Sequence, residues 1–151
     1  LSASIDPDAF EQAAEILAGA ETIYLIAKRR SYPISSYLAY AFGKLQIRSQ
    51  LVGTAAGMDD DLLAMATPRD AAFAVSFSPY ASESALQAEA LSARNIPVVS
   101  LTDSAFSPLA GCSKIWFELV EADHAGFRSL SGSMAFAMAL AVSVAEKRRR
   151  G

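Results

Sequence analysis

The run Ala71-Ala-Phe-Ala-Val-Ser-Phe-Ser-Pro-Tyr-Ala-Ser-Glu-Ser84 joins residues able to hold an anion to the elements that would aim them. Serines at 76, 78, 82 and 84 put hydroxyls in a short turn, after an apolar stretch and before a helical pattern carried by Leu86, Ala90 and Leu91. A helix start offers unpaired N–H groups and the positive end of the helix dipole, and serine hydroxyls add donors. Such a turn suits a phosphorylated small molecule. A plainer alternative stands beside it, a strand-to-helix turn whose Ser82 only caps the helix.

Elements of alternating type surround this turn. Apolar stretches at 22–27, 50–53, 71–76, 97–101 and 114–119 read as strands. Helical patterns cover 7–17, 33–45, 59–66, 82–94 and 129–147, with a short turn or helix at 107–111. Asp6 is placed to cap the first helix, with Pro7 at its first position. Continuous apolar strands alternating with helices predict an α/β fold, a three-layer αβα sandwich around a five-stranded parallel sheet. Ligands in such sheets bind beyond the carboxyl ends of the strands, near the topological switch point. The loops after Ala27, Ser76, Leu101 and Leu119 are therefore the ones that matter.

Several residues in those loops carry chemistry, each with a plainer alternative. Arg29 and Arg30 suit paired contacts with phosphate or carboxylate, or form a solvated surface pair. Ser31 either touches ligand or caps the helix that Pro33 begins. Tyr80 is a surface turn residue, a lid or a stacking group. Arg128, two residues after Gly126, either closes the pocket from the start of the last helix or pairs with a surface acid. His124 reads as a surface histidine, Trp116 as core or interface packing in a strand, and Cys112 as buried and inert.

Composition narrows the function further. The chain has 151 residues, 52% hydrophobic and 19% charged, which suits one domain with a good core and argues against disorder. Residues 1–20 read as an N-terminal helical segment of that single domain. A net charge of −3 lacks the basic surplus of an autonomous nucleic-acid binder. The basic tail at 146–150 reads as a solvated helix end or the start of a linker. A lone cysteine excludes an internal disulfide and fits a reducing, cytoplasmic compartment. One histidine and one cysteine cannot build a thiolate or imidazole cluster, so neither metal nor cofactor is expected. No signal peptide is visible at the start, and the missing initiator Met suggests a piece of something longer.

Residues 134–142 are wholly apolar but fall short of the ~20 a membrane span needs. A helix apolar on nearly every face is buried on nearly every face. One side would cover the sheet and the other a partner subunit, with Ala135, Ala137, Ala139 and Ala141 permitting close approach. A homodimer or higher even oligomer follows, with the alternative that Phe10, Ala13, Ala14 and Leu17 of the first helix cover part of the strip within one chain.

The loops also carry a family resemblance. Ser76, Ser78 and Glu83 match a Ser-x-Ser-Gly-x-Thr-x-Glu loop, and Thr102 with Ser107-Pro-Leu-Ala110 matches the loop after the fourth strand. Only Ser31 matches the Gly-x-Gly-x-Ser pattern after the first strand. From about Glu21 to Lys147 the chain resembles a sugar isomerase (SIS) domain, specifically the C-terminal sensor domain of RpiR/MurR-type bacterial transcriptional regulators. Departures stand at Ala27 and Arg29 in the first loop, at Pro79 for the usual glycine, and at Ala81 for a phosphate-binding threonine. One hydroxyl and one amide donor are lost and two guanidinium groups are gained.

The resemblance implies a flavodoxin-like SIS fold and a ligand-sensing role. An anionic sugar derivative would meet Arg29, Arg30, Ser31, Ser76, Ser78, Tyr80, Ser82, Glu83, Thr102 and Arg128. It would control DNA only through a helix-turn-helix domain upstream of Leu1, absent from this chain. SIS domains also occur in aldose–ketose isomerases of sugar phosphates. That chemistry needs a base and an acid, for which Glu118, Glu121, Asp123 and His124 are the candidates. A dimerisation domain with an inactive pocket is a third reading.

Overall fold

The computed structural model describes residues 5–54 and 56–151. Strands β1 (Ile23–Ala27), β2 (Ser49–Leu51), β3 (Ala71–Val75), β4 (Val98–Thr102) and β5 (Ile115–Glu118) form one parallel sheet in the order β2-β1-β3-β4-β5. Every residue of β1, β3 and β4 is buried, the reason these segments read as unbroken apolar runs. After β2 the chain crosses to the other side of β1, so the switch point lies between β1 and β3.

Helices α1 (Pro7–Ala18), α2 (Tyr32–Lys44) and α6 (Ser131–Arg150) cover one face. Helices α3 (Asp59–Ala64), α4 (Ser82–Ala93) and α5 (Pro108–Cys112) cover the other. Side-chain caps start two of them. Asp6 accepts from the Asp8 N–H at 3.1 Å with Pro7 following, and Ser107 accepts from the Leu109 N–H at 3.2 Å with Pro108 following. Thr102 Oγ1 donates to Ser76 O at 2.7 Å and ties the ends of β3 and β4 together.

The apolar last helix is covered mainly from within the chain. It buries Phe136, Ala137, Leu140, Ala141 and Val144 against the sheet, α1 and α2. Phe10 of α1 meets Phe136 edge-on at 5.6 Å between centroids, and Phe117 lies 4.9 Å from the same ring. Lys147 pairs with Glu11 at 2.8 Å, and the Arg148 guanidinium donates to Ala20 O. Ala135, Met138, Ala139 and Val142 stay exposed, a narrower strip than the composition suggested. Lys147, Arg148, Arg149 and Arg150 form the helix's last turn, where cations complement the dipole. Among the described residues no helix is long and apolar enough to cross a membrane.

One element escapes the sequence reading. Residues 123–128, taken as loop, form a small antiparallel hairpin of β6 (Asp123–His124) and β7 (Phe127–Arg128). Ala125 and Gly126 turn it with φ of 53° and 88°, both positive, as a two-residue hairpin loop requires.

Candidate functional site

Four loops converge beyond the carboxyl ends of β1, β3, β4 and β5. They enclose two adjoining lobes of about 250 Å³ and 240 Å³ that share Arg30 and Phe77. The first lobe is lined further by Ser78, Asp103, Glu121 and Arg128. The second adds Lys28, Arg29, Ser31, Ser76 and Pro79.

The Ser78 backbone is the junction. Its carbonyl accepts from Arg30 Nη2 at 2.7 Å and from Arg128 Nη1 at 2.6 Å, so guanidiniums from two distant loops meet on one oxygen. The Arg30 guanidinium also sits 5.8 Å from the Phe77 ring centroid. Burial, then the like charge of Arg128, pulls the Arg30 pKa below its ordinary value. The Ser78 N–H donates to Asp103 Oδ2 at 2.9 Å, and the Tyr80 hydroxyl donates to Asp103 Oδ1 at 2.6 Å. The Tyr80 hydroxyl is thus tied to the loop after β4. Burial and then the bond to Asp103 push its phenol pKa up.

The second lobe is built on a strained entry. Arg29–Ser31 form a single 3-10 turn, and Arg29 sits at φ 54°, a left-handed conformation. Arg29 is exposed, while Ser31 is buried. Ser31 occupies the cap position of α2 without a side-chain cap bond, and Ala81, not Ser82, occupies that of α4. Neither serine therefore does the capping that was its plainer alternative. Ser82 is exposed in the first turn of α4, and Ser84 Oγ in the same turn is buried without a partner among the described residues. Ser76 is buried and lines the lobe, whereas Ser78 is exposed.

Thr102 departs from the expected contact role. It is fully buried, and its hydroxyl is spent on Ser76 O, so it braces the loop. Glu83 faces Lys28, whose Nζ lies 3.5 Å from Glu83 Oε1 and 3.2 Å from Asp59 Oδ2. Asp59 also accepts from the Gly53 N–H at 2.8 Å. Gly53 holds φ 98°, and a β-carbon there would meet Lys28 Nζ at 3.3 Å. Lys28 and Asp103 were missed from sequence, although each directly adjoins a residue that was singled out.

The acidic residues after β5 do not gather as an acid–base pair. Glu121 accepts from the Gly132 N–H at 3.2 Å and the Ser133 N–H at 2.6 Å, capping α6 from outside the helix. Asp123 accepts from the Gly126 N–H at 3.0 Å and lies 3.9 Å from Arg128. Glu118 and His124 are exposed. Trp116 is half-buried in β5, and Cys112 is half-buried with its thiol pKa pushed up by burial. Among the described residues no group of three or more His, Cys, Asp or Glu is placed to hold a metal.

Comparison with known proteins places this geometry. The sugar isomerase domain of an RpiR transcription factor from Sphaerobacter thermophilus superposes with a TM-score of 0.89 at 22% identity, covering 97% of this chain and 82% of that one. The Vibrio vulnificus NanR protein complexed with ManNAc-6P gives 0.79 at 28% identity, covering 97% of this chain and 56% of NanR, little more than half its length. A hypothetical protein, MJ1247 of Methanococcus jannaschii, whose structure was taken to infer 3-hexulose-6-phosphate isomerase function, gives 0.73 at 12% identity over 95% of this chain and 77% of that one. No curated protein matched the sequence significantly. The family model described as SIS domain matches residues 16–144. That span runs from within α1 into α6 and contains every loop of the cleft, and the chain belongs to the SIS domain family.

Proposed function

We propose that this domain is the ligand sensor of an RpiR-type transcriptional regulator, and that its cleft binds a phosphorylated or otherwise anionic sugar derivative in the cytoplasm. The observation that carries the reading is the meeting of Arg30 and Arg128 on the Ser78 carbonyl. Two guanidiniums held on one neutral oxygen keep several N–H donors open for an anion. Ser31 and Ser76 add hydroxyls in the adjoining lobe, where Arg29 and Lys28 add charge. The likeness to NanR, whose structure holds ManNAc-6P, supports the same ligand chemistry here. The DNA-binding part would be a helix-turn-helix domain joined upstream of residue 1.

Sensing needs differential affinity. The ligand would bind one arrangement of a dimer better than another and so reorient the attached heads. The exposed strip Ala135, Met138, Ala139 and Val142 on α6 is the proposed dimer contact. Glu121 and Asp123 line the cleft and keep an isomerase reading alive. Against it, both Glu121 oxygens are engaged by N–H groups at the start of α6, which holds the carboxylate to the helix end rather than to a substrate.

A thermal-shift screen of sugar phosphates and acidic sugars on the full-length protein tests the reading. At a hundred times its Kd a ligand adds about 2.7 kcal/mol, a rise of roughly 5–10 °C for a domain of this size. No shift with any anionic sugar would discard the sensor. Turnover of a sugar phosphate that is lost in Glu121→Gln would replace it with the isomerase.

A further inference from the structure

We infer that the β6–β7 hairpin is a flap on the first lobe, latched by the Arg128 guanidinium on the Ser78 carbonyl and weakened by Arg30, which competes for the same oxygen. The inference goes beyond the sensor reading and does not depend on which molecule the cleft takes.

Asp123 and Arg128 of the hairpin line the lobe together with Arg30, Phe77, Ser78 and Asp103 from the loops after β1, β3 and β4. Every residue from Ala122 to Phe127 is exposed, Phe127 to 76%, so burial does little to hold the hairpin down. Among the described residues its one hydrogen bond to those three loops is Arg128 Nη1 to Ser78 O, 2.6 Å long. Its other bonds are its own. The Gly126 N–H donates to Asp123 Oδ1 at 3.0 Å, and the Ser129 N–H donates to Ala122 O at 2.9 Å. They let the hairpin move as a unit.

The root of the hairpin is fixed. Glu121, just before it, holds the Gly132 and Ser133 N–H groups of α6. A β-carbon at Gly132 would meet Glu121 Oε1 at 3.1 Å and Leu119 Cδ2 at 3.3 Å, so the chain entering the hairpin lies close against the helix. A swing therefore turns about Ala122 and Ser129.

The latch has a competitor. Arg30 Nη2 reaches the Ser78 oxygen at 2.7 Å, which brings two like charges together on one neutral atom. Carboxylates stand nearby, but Asp103 holds the Ser78 N–H and the Tyr80 hydroxyl, and Asp123 is 3.9 Å from Arg128. Of the charges around Arg30, Arg128 weighs most, ahead of Asp103 and Asp123. One bond closes the flap and one repulsion opposes it, the condition for a segment that opens and recloses.

Double electron–electron resonance tests this in the protein carrying Cys112→Ser. Nitroxides at His124→Cys in the hairpin and at Leu86→Cys, exposed on α4, read how far the hairpin stands from the body. Dilution with unlabelled protein restricts the signal to distances within one chain. Arg128→Gln should raise the ratio of displaced to native distance about tenfold, the loss of one charge-assisted bond. Arg30→Met keeps an unbranched stem beside Phe77 and removes the charge, and should lower that ratio about threefold. An unchanged distribution in Arg128→Gln refutes the latch. A ratio that rises or stays level in Arg30→Met refutes the competition. Should Arg128→Gln fail to fold, Arg128→Lys keeps the charge without the fork and should shift the ratio in the same direction, and no shift there refutes the latch equally.

Discussion

Aspartate placed at Ala137, and separately at its neighbour Met138, distinguishes packing within one chain from packing between chains. Ala137 is 0% exposed and lies in the cluster with Leu17, Phe136 and Leu140, whereas Met138 is 47% exposed. A carboxyl forced into the first position has no cation to meet and is held neutral by raising its pKa about 3–5 units, which costs roughly 4–7 kcal/mol. Overpacking adds about 1–3 kcal/mol. A typical domain has only about 5–15 kcal/mol in total, so Ala137→Asp should unfold or melt at least roughly 10 °C lower. Met138→Asp in an isolated chain changes a surface position and costs less than about 1 kcal/mol. If α6 joins two copies, the same charge is trapped in an apolar interface and should split the dimer with the fold intact. Sedimentation velocity at micromolar concentration, paired with thermal melts, reads both effects. A native species of 16.0 kDa would refute the dimer. A Met138→Asp protein that remains dimeric would move the interface off α6, and a native-like melt for Ala137→Asp would refute the packing itself.

Three further outcomes follow from the cleft. Ser76→Ala with Ser78→Ala should weaken the tightest anionic sugar by about 1–3 kcal/mol, and unchanged affinity by titration would take both serines out of the site. Glu121→Gln weakens the cap on α6 and should cost about 0.5–2 kcal/mol in denaturant melts; an unchanged midpoint would show the cap contributes nothing. Tyr80 holds its proton more tightly folded than unfolded, so its stabilisation is complete below the free phenol's value of about 10 and fades as pH rises through the higher folded one. Asp103→Asn should bring the Tyr80 transition down in an alkaline absorbance titration, and no movement would mean that burial alone sets it.

The sheet was legible because burial on both faces leaves β1, β3 and β4 almost wholly apolar, with Ser100 in the middle and Thr102 at the end of β4 as the hydroxyl exceptions besides Tyr24. The cap Asp6 was legible because it precedes a proline fixed for a first helical turn, a role the structure gives also to Ser107 before Pro108. The β6–β7 hairpin was not, since two residues per strand are too few to show alternation, and Ala125-Gly126 lacks the usual Asn-Gly or Asp-Gly signal. That omission hid how Arg128 reaches Ser78, fifty positions away in sequence. Thr102 ends β4 and Tyr80 follows β3, but sequence could not say which way their hydroxyls point. Both turn out to be engaged by Ser76 and Asp103. For α6, apolar residues on all sides left open whether α1 or a second chain covers the outer face, and packing against α1 accounts for most of it.

The left-handed backbone at Arg29, φ 54°, has an evolutionary consequence. A residue with a β-carbon gives up roughly 1–2 kcal/mol to sit there, a cost that glycine escapes. The pattern this loop resembles has glycines in the neighbourhood, and this chain carries a guanidinium there instead. Under the proposed function, stability and anion capture pull this position in opposite directions. A library of variants at position 29 screened only for heat resistance should drift toward glycine or asparagine, and the survivors should have lost affinity for anionic sugars in proportion to what they gained in melting temperature.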